Sequence, residues 1–314
     1  MLKYLGKRFF RSFLTLFLIL TITFILLRQM PIEGYFSNFD KLSEAQIANG
    51  LKQLGLDQPL HIQLFNFFKN LILHFDLGIS KVYRNNVPVA EILAPKIPIS
   101  IQLGGMSILF SMLIGLPMGA LMAKYKGKFF DHVGTGFIVL IEAVPAAVYY
   151  LLLQLYGTEL FHIKMLFDAK SFSSWILPVI SMSLGNIAYY AMWLRRYMVD
   201  ESRKDYVMLA RIKGVPGNKI MFRHIFRNAF VPMAQYLPTS FLNTVIGSIY
   251  IESLYSIPGM GGLLVNVIKK QDNSMVQGIV LLYACVGVIG LILGDLLMVA
   301  LDPRITFAKK GGSR

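Results

Sequence analysis

The segment from Asp205 to Pro232 reads DYVMLARIKGVPGNKIMFRHIFRNAFVP. It is basic, it is broken by Gly-Val-Pro-Gly, and it lies between two long apolar stretches. A basic run suits nucleic acid, a membrane surface or a docking partner. Its local signals are those of two short helices joined by a turn. Ser202 stands three residues before Asp205, the spacing of a capping box with the shorter acid. Tyr206, Leu209, Ala210 and Lys213 follow at helical spacing; Gly214 is a stop, and Pro216 forbids simple continuation. Asn218 is placed to cap a second helix carrying Ile220, Met221, Phe222, Ile225 and Phe226. A loose loop needs no such caps and stops. The pattern predicts an ordered, apolar and basic knob presented to a partner.

The flanks say what kind of chain carries this knob. Of 314 residues 55% are hydrophobic and only 15% charged, with mean hydropathy +0.57 and formal net charge +14. A soluble domain carries about a quarter charged residues, so the deficit indicates several membrane spans. The single cysteine, Cys285, lies in an apolar run and excludes both an internal disulfide framework and a CxxC metal site. Lys3, Lys7, Arg8 and Arg11 precede the run FLTLFLILTITFILL (Phe13 to Leu27). No small-residue cleavage site follows it, so it reads as an uncleaved first span and not as a signal peptide.

A span needs about 20 mostly apolar residues. Six candidates result, at about 9–29, 99–123, 130–156, 174–198, 229–251 and 277–301. With both termini inside, the inner segments hold 20 of the 31 Lys and Arg, nine of them in the 199–228 loop and its edges. The acids go the other way, ten of them lying outside. That asymmetry is the positive-inside pattern. It accounts for the net charge without nucleic acid. The chain therefore reads as one all-α integral membrane domain, 1–314, with six transmembrane helices and cytoplasmic termini.

Charge is scarce inside the spans. Glu142 and Asp295 are the acids placed there, which disfavours an ion-coupled carrier or a channel. GLPMG (Gly115 to Gly119) is a GxxxG pattern that permits close helix packing. Pro178, Ser181, Ser183 and Asn186 lie on the fourth span; Pro232, Pro238, Asn243 and Thr244 lie on the fifth. Polar groups there either bond a neighbouring helix or line an aqueous path. Ser183, Asn186, Asn243 and Thr244 are the candidates for the path. The loop at 30–98 is not featureless. SEAQ (Ser43 to Gln46) has capping-box spacing for a helix ending near Gly55. PLHIQLFNFFKNLILHF, from Pro59, predicts an amphipathic helix on the outer face.

The opening segment resembles the cytoplasmic coupling loop of ABC importer permeases, whose pattern is Glu-Ala-Ala, three residues, Gly, then an apolar end. Ala210 and Gly214 fall on the last Ala and the Gly. Met208 stands for the Glu, Leu209 for the first Ala, and Arg227 where many members have Pro. YVMLARIKG, FRHIFRNAFVP, IESLYSIPGMGGLLV, VQGIVLL, DLLMVALDPRI, LGLDQPLHIQ and FDLGIS are similar to the oligopeptide, dipeptide and nickel branch, on the short-N-terminus side of its permease pair. Where members commonly read Pro-Gly-Asp-Pro after the first span, this chain has MPIEGY.

The resemblance implies a type I importer permease in a bacterial inner or plasma membrane. It implies a homologous second permease subunit, two cytoplasmic ATPase subunits and an extracellular substrate-binding protein. ATP and Mg belong to the partner ATPases, and no cofactor or metal binds this chain directly. It also implies roles. Ala210 allows close packing, Gly214 the reversal, Val215 and Pro216 shape the tip, and Phe222 fills an apolar pocket on the ATPase. Arg211, Lys213, Arg223 and Arg227 either pair with acids there or simply follow the positive-inside bias. Asp302-Pro303-Arg304 reads as a helix end. One point is independent of the resemblance: no GxxxxGK[ST] occurs, and GVPGNKI has the wrong spacing. The chain is therefore expected to be a transport subunit and not an enzyme. The expected substrate is an oligopeptide or dipeptide, with nickel or a metal chelate as the alternative.

Overall fold

The computed structural model describes residues 2–36, 39–245 and 249–301, with side chains for all of these except 2–5, 7–8, 235, 241, 243–245 and 298–301. Asp302, Pro303 and Arg304 therefore lie outside the described residues. The chain divides into two compact units, residues 1–99 with 258–289, and residues 100–257 with 290–314.

The first unit begins with α1 (Leu2–Arg28), whose apolar run Phe9–Arg28 is long enough to cross a membrane. The SEAQ signal gives α2 (Glu44–Gln53): Ser43 Oγ accepts from the Gln46 N–H, and the Gln46 side chain accepts from the Ser43 N–H. Gly55, at φ +64°, ends it. α3 (Leu60–His74) is the helix expected after Pro59. Two of its aromatic side chains stack on α1: Phe67 and Phe68 lie on Phe24 and Phe17, centroids 5.3 and 4.8 Å apart. A short hairpin, β1 (Ile79–Ser80) and β2 (Val87–Pro88), and α4 (Val89–Leu93) follow. Neither was anticipated, because two-residue strands carry no periodicity to read.

The second unit is built from α5 (Ile97–Lys124), α6 (Phe129–Ala143), α7 (Ala146–Phe161), α8 (Ser173–Glu201), α9 (Asp205–Ile212), one-turn α10 (Gly217–Lys219), a π-helical segment Ile220–Phe226, α11 (Arg227–Val245) and α12 (Ile249–Leu254). α13 (Met260–Lys269) belongs to the first unit, and α14 (Asn273–Leu301) ends the described chain. In the first unit Val89, Ile92 and Leu93 of α4 pack with Met260, Leu263 and Val267 of α13 and Met275 and Ile279 of α14.

α8 is the central helix of the second unit and packs against α6, α7 and α11. Ala188, Tyr190, Ala191 and Leu194 are fully buried on it. The GLPMG motif faces it. A Cβ on Gly119 would come within 2.6 Å of the Ala191 carbonyl oxygen, and one on Gly115 within 3.0 Å of that of Ile187. These glycines let the α5 and α8 backbones approach, as small-residue motifs do in membranes. Serines close the same seam. Ser107 Oγ and Ser183 Oγ lie 3.1 Å apart, and Ser111 Oγ donates to the Ser183 carbonyl at 3.2 Å.

One of the six expected spans is modified. The third, 130–156, is two helices, α6 and α7, bent by 106°. Pro145 is the cause: it pushes Val144 into an extended conformation (φ −89°, ψ 128°) and supplies no N–H to continue the ladder. The fifth, 229–251, is described as α11 up to Val245 and as α12 from Ile249, and the residues between these lie outside the described ones. Among the described residues, four helices are long and apolar enough to cross a membrane, or five if the bent pair is one span. The acids also need correction. Besides Glu142, exposed, and Asp295, buried, Asp131 is buried at the start of α6. It holds Arg195 of α8 through two oxygens, the Nη2 contact at 2.7 Å. It was missed because it falls at the edge of an apolar run, where an acid looks solvated.

Candidate coupling site

α9 starts at Asp205, but not as the spacing suggested. The residue before it, Lys204, occupies the cap without a side-chain bond; Ser202 caps the C-terminal end of α8, its Oγ bonded back to the Val199 carbonyl. α8 simply runs further than its apolar pattern, and consumes Ser202. The end of α9 follows the sequence. Gly214 sits at φ +73°, its N–H bonds the Arg211 carbonyl at 3.0 Å, and the Val215 N–H bonds the Ala210 carbonyl at 3.1 Å. These are the two bonds of a Schellman motif, which satisfies the last carbonyls of a helix. Pro216 then caps α10, with Asn218 inside it: Asn218 Oδ1 accepts from Lys124 Nζ at 3.3 Å. The expected Asn218 cap is thus replaced by a proline, whose fixed φ is already suited to a helix start.

The turn is anchored from behind. Val207, Ala210, Ile220, Met221 and Ile225 are buried with Tyr190, Leu194 and Met198 of α8 and Met233 of α11. Ala210 is 8% exposed and packs with this core. The Tyr206 hydroxyl donates to Glu201 Oε1 at 2.6 Å, lies 3.3 Å from the His224 carbonyl, and accepts from Asn228 Nδ2 at 2.9 Å. Burial, and then the bond to Glu201, push the Tyr206 phenol up to about 12, so it stays protonated at any physiological pH. Glu201, itself buried, also holds Lys204 Nζ at 2.6 Å. A cavity of about 470 Å³ opens beside the turn, lined by Lys124, Met198, Arg211, Val215 and Met221 among others.

The front of the turn is open. Gly214 and Gly217 have nothing within 4 Å of a built Cβ. Phe222 is 62% exposed, and beside it in the segment Met208, Leu209 and Ile212 are exposed. Arg211, Lys213 and Pro216 are exposed and Val215 is half-buried. Four large apolar side chains and a cluster of cations on one short, hydrogen-bonded projection are unusual for a surface without a partner. The sequence pointed to Phe222 but not to Met208, Leu209 or Ile212. Which side of an eight-residue helix faces inward cannot be read from so few turns.

Of the expected path residues, Ser183 and Asn186 are described with their side chains. Ser183 is fully buried in the α5–α8 seam and spends its hydroxyl there. Asn186, one turn on, is half-buried. The side chains of Asn243 and Thr244 lie outside the described residues.

Residues 115–307 match the family described as binding-protein-dependent transport system inner membrane component, and residues 1–104 match that family's N-terminal component. The chain belongs to this family. It is therefore a transport component of a bacterial inner membrane, crossing it more than once. The inner membrane component is 31% identical to the dipeptide transport system permease protein DppB of Lactococcus lactis subsp. cremoris (strain MG1363), over 97% of this chain and 99% of that protein. It is 32% identical to DppB of Bacillus subtilis (strain 168), over 99% and 100%. It is 29% identical to the oligopeptide transport system permease protein OppB of Salmonella typhimurium (strain LT2), over 98% and 100%. A crystal structure of an amino acid ABC transporter with histidines superposes with TM-score 0.51 and 17% identity, over 69% of this chain and 95% of that one. That likeness is one of fold. The 115–307 match contains the whole segment from α9 to α11.

Proposed function

We propose that this chain is one of two homologous membrane subunits of an ATP-driven importer of dipeptides or oligopeptides. Both termini and the 199–228 segment face the cytoplasm. There the projection at Lys213–Pro216 seats in a cleft of an ATPase subunit, with Phe222, Met208, Leu209 and Ile212 covering apolar surface around it. Two such ATPases bind ATP and Mg and close on each other; an extracellular binding protein delivers the peptide. The hydrolytic chemistry belongs to the ATPases, and this chain contributes half of the path.

One observation carries the reading: a Schellman-stopped turn, rigid behind and apolar in front, on a segment rich in cations. An element that transmits force must be stiff toward its own core and complementary toward its driver. The peptide substrate is supported by the names of the full-length relatives. Asn186 remains the candidate path residue among those with described side chains. The test is copurification of the ATPase with the wild-type chain and with Gly214→Trp. An indole at this open position blocks the cleft without touching the core, at a local cost of about 1–2 kcal/mol for a side chain in the left-handed region. The substituted chain is expected in the membrane at wild-type level without ATPase and without uptake. Uptake that persists in the absence of any ATPase would sink the proposal.

A further inference from the structure

Behind the projection one hydroxyl touches three separate elements. Glu201 is in the last turn of α8, His224 in the π-helical segment and Asn228 in the first turn of α11. All three contact Tyr206, which sits in the first turn of α9. We propose that Tyr206 is a positioning residue: its hydroxyl is the joint through which a displacement of the Lys213–Pro216 projection is passed to α8 and α11 together. This rests on the reading of that projection as the ATPase contact.

The physical argument starts from what the rest of the contact offers. Val207, Ala210, Ile220, Met221 and Ile225 meet the core through apolar packing. Such packing is non-directional: it anchors the segment against the core but does not by itself fix the direction in which a small displacement is passed on. A hydrogen bond is directional and weakens steeply when its angle is lost. The bond from Tyr206 to the Glu201 carboxylate is short and charge-assisted, the stronger kind. It converts sliding of α9 into a pull on the end of α8. On the other side, α10, the π-helical segment and α11 run on without a break in the helical backbone from Gly217 to Val245. Asn228 ties that rod to the same hydroxyl.

The joint also has two settings. A phenol carries one proton, and two acceptors lie in range, Glu201 Oε1 at 2.6 Å and the His224 carbonyl at 3.3 Å. Rotation of a single O–H exchanges them. The carbonyl belongs to a π-helical segment, a rare form of helix that recurs at functional positions. Movement that brings this segment closer and carries α8 away favours the second setting, and the reverse movement favours the first. A two-setting element biased from both sides is what coupling requires.

The test uses the complete transporter in proteoliposomes: this chain, the second membrane subunit, both ATPases and the binding protein. The probe is an equimolar mixture of di-, tri- and tetra-alanine, read as peptide imported per ATP hydrolysed, with ATPase copurification and thermal midpoint measured alongside. Tyr206→Phe keeps the ring and removes the joint. It is expected to retain the ATPase but to import about tenfold less per ATP, the scale of one lost charge-assisted hydrogen bond. Glu201→Ala is expected to do the same. Glu201→Gln, which still accepts from the phenol, is expected to restore most of the ratio. The double variant Tyr206→Phe with Glu201→Ala is expected to be no worse than either alone. If Tyr206→Phe does not fold, Asn228→Leu removes only the exposed donor and is expected to lower the same ratio about threefold. An unchanged ratio in these variants, or a ratio that tracks the thermal midpoint alone, overturns the proposal. Failure of the underlying reading looks different: Gly214→Trp then keeps its ATPase.

Discussion

At the scale of single residues, the groups that hold this protein together are not those that its composition advertises. Asp272 is fully buried between α13 and α14. One oxygen accepts from Ser80 Oγ at 2.6 Å and from the N–H groups of Lys81, Val82 and Tyr83; the other caps α14 through the Met275 N–H at 3.1 Å. A carboxylate ringed by donors organises the whole β1–β2 loop, although it is remote from it in sequence. Asp272→Ala frees four donors and a helix end. At about 1–3 kcal/mol for each buried group left unpaired, the loss is expected to be at least about 3 kcal/mol. It should appear as a lower thermal midpoint in detergent and as new protease cleavage between residues 80 and 88. Gly214 is the opposite case, a residue whose importance was legible. A helix that ends in Lys-Gly-Val-Pro needs a left-handed stop, and the observed φ of +73° supplies it. Tyr206 was read only as one member of a helical repeat, because a tyrosine in such a repeat carries no mark of what its hydroxyl will meet.

At the scale of elements, the α5–α8 contact decides the geometry of the second unit. Gly115 and Gly119 bring one backbone onto another, and Ser107, Ser111 and Ser183 bond across the seam. Lipid offers no hydrophobic drive for helices to associate, so close packing and interhelical hydrogen bonds must supply it. Gly119→Val places a Cβ 2.6 Å from the Ala191 carbonyl oxygen, and the helices have to part. The expected cost is about 1–3 kcal/mol. Gly136→Val, on α6 with nothing within 4 Å, is the control and is expected to cost far less. Thermal midpoints of the two proteins in the same detergent make the comparison. The GxxxG spacing announced that seam. The division of the third span was announced just as clearly by Pro145, yet continuous apolarity on both sides outweighed it. Hydropathy sums over a window and does not register one missing N–H.

At the scale of the whole molecule, sidedness is the property that charge alone predicts. Cysteines replacing Arg211 and Lys126 are expected to react with an impermeant maleimide only in inside-out vesicles, and one replacing Lys52 only in intact cells, after Cys285 is changed to Ala. Labelling of Arg211→Cys and Lys52→Cys from the same side would contradict the arrangement. Composition, the run at Phe13 to Leu27, the Lys and Arg asymmetry and the stop at Gly214 determined by themselves that this is a helical membrane protein with an ordered basic projection. Each of those signals is local: a window of apolar residues, a count of charges between windows, a backbone angle that only glycine adopts readily. Tertiary structure alone decided that Ser183 is sealed in a helix seam, that Asp131 holds Arg195, that Asp272 organises a loop 190 residues away in sequence, and that Tyr206 joins α8 to α11. Hydrogen bonds depend on direction and on partners distant in the chain, and neither is written in the order of the residues.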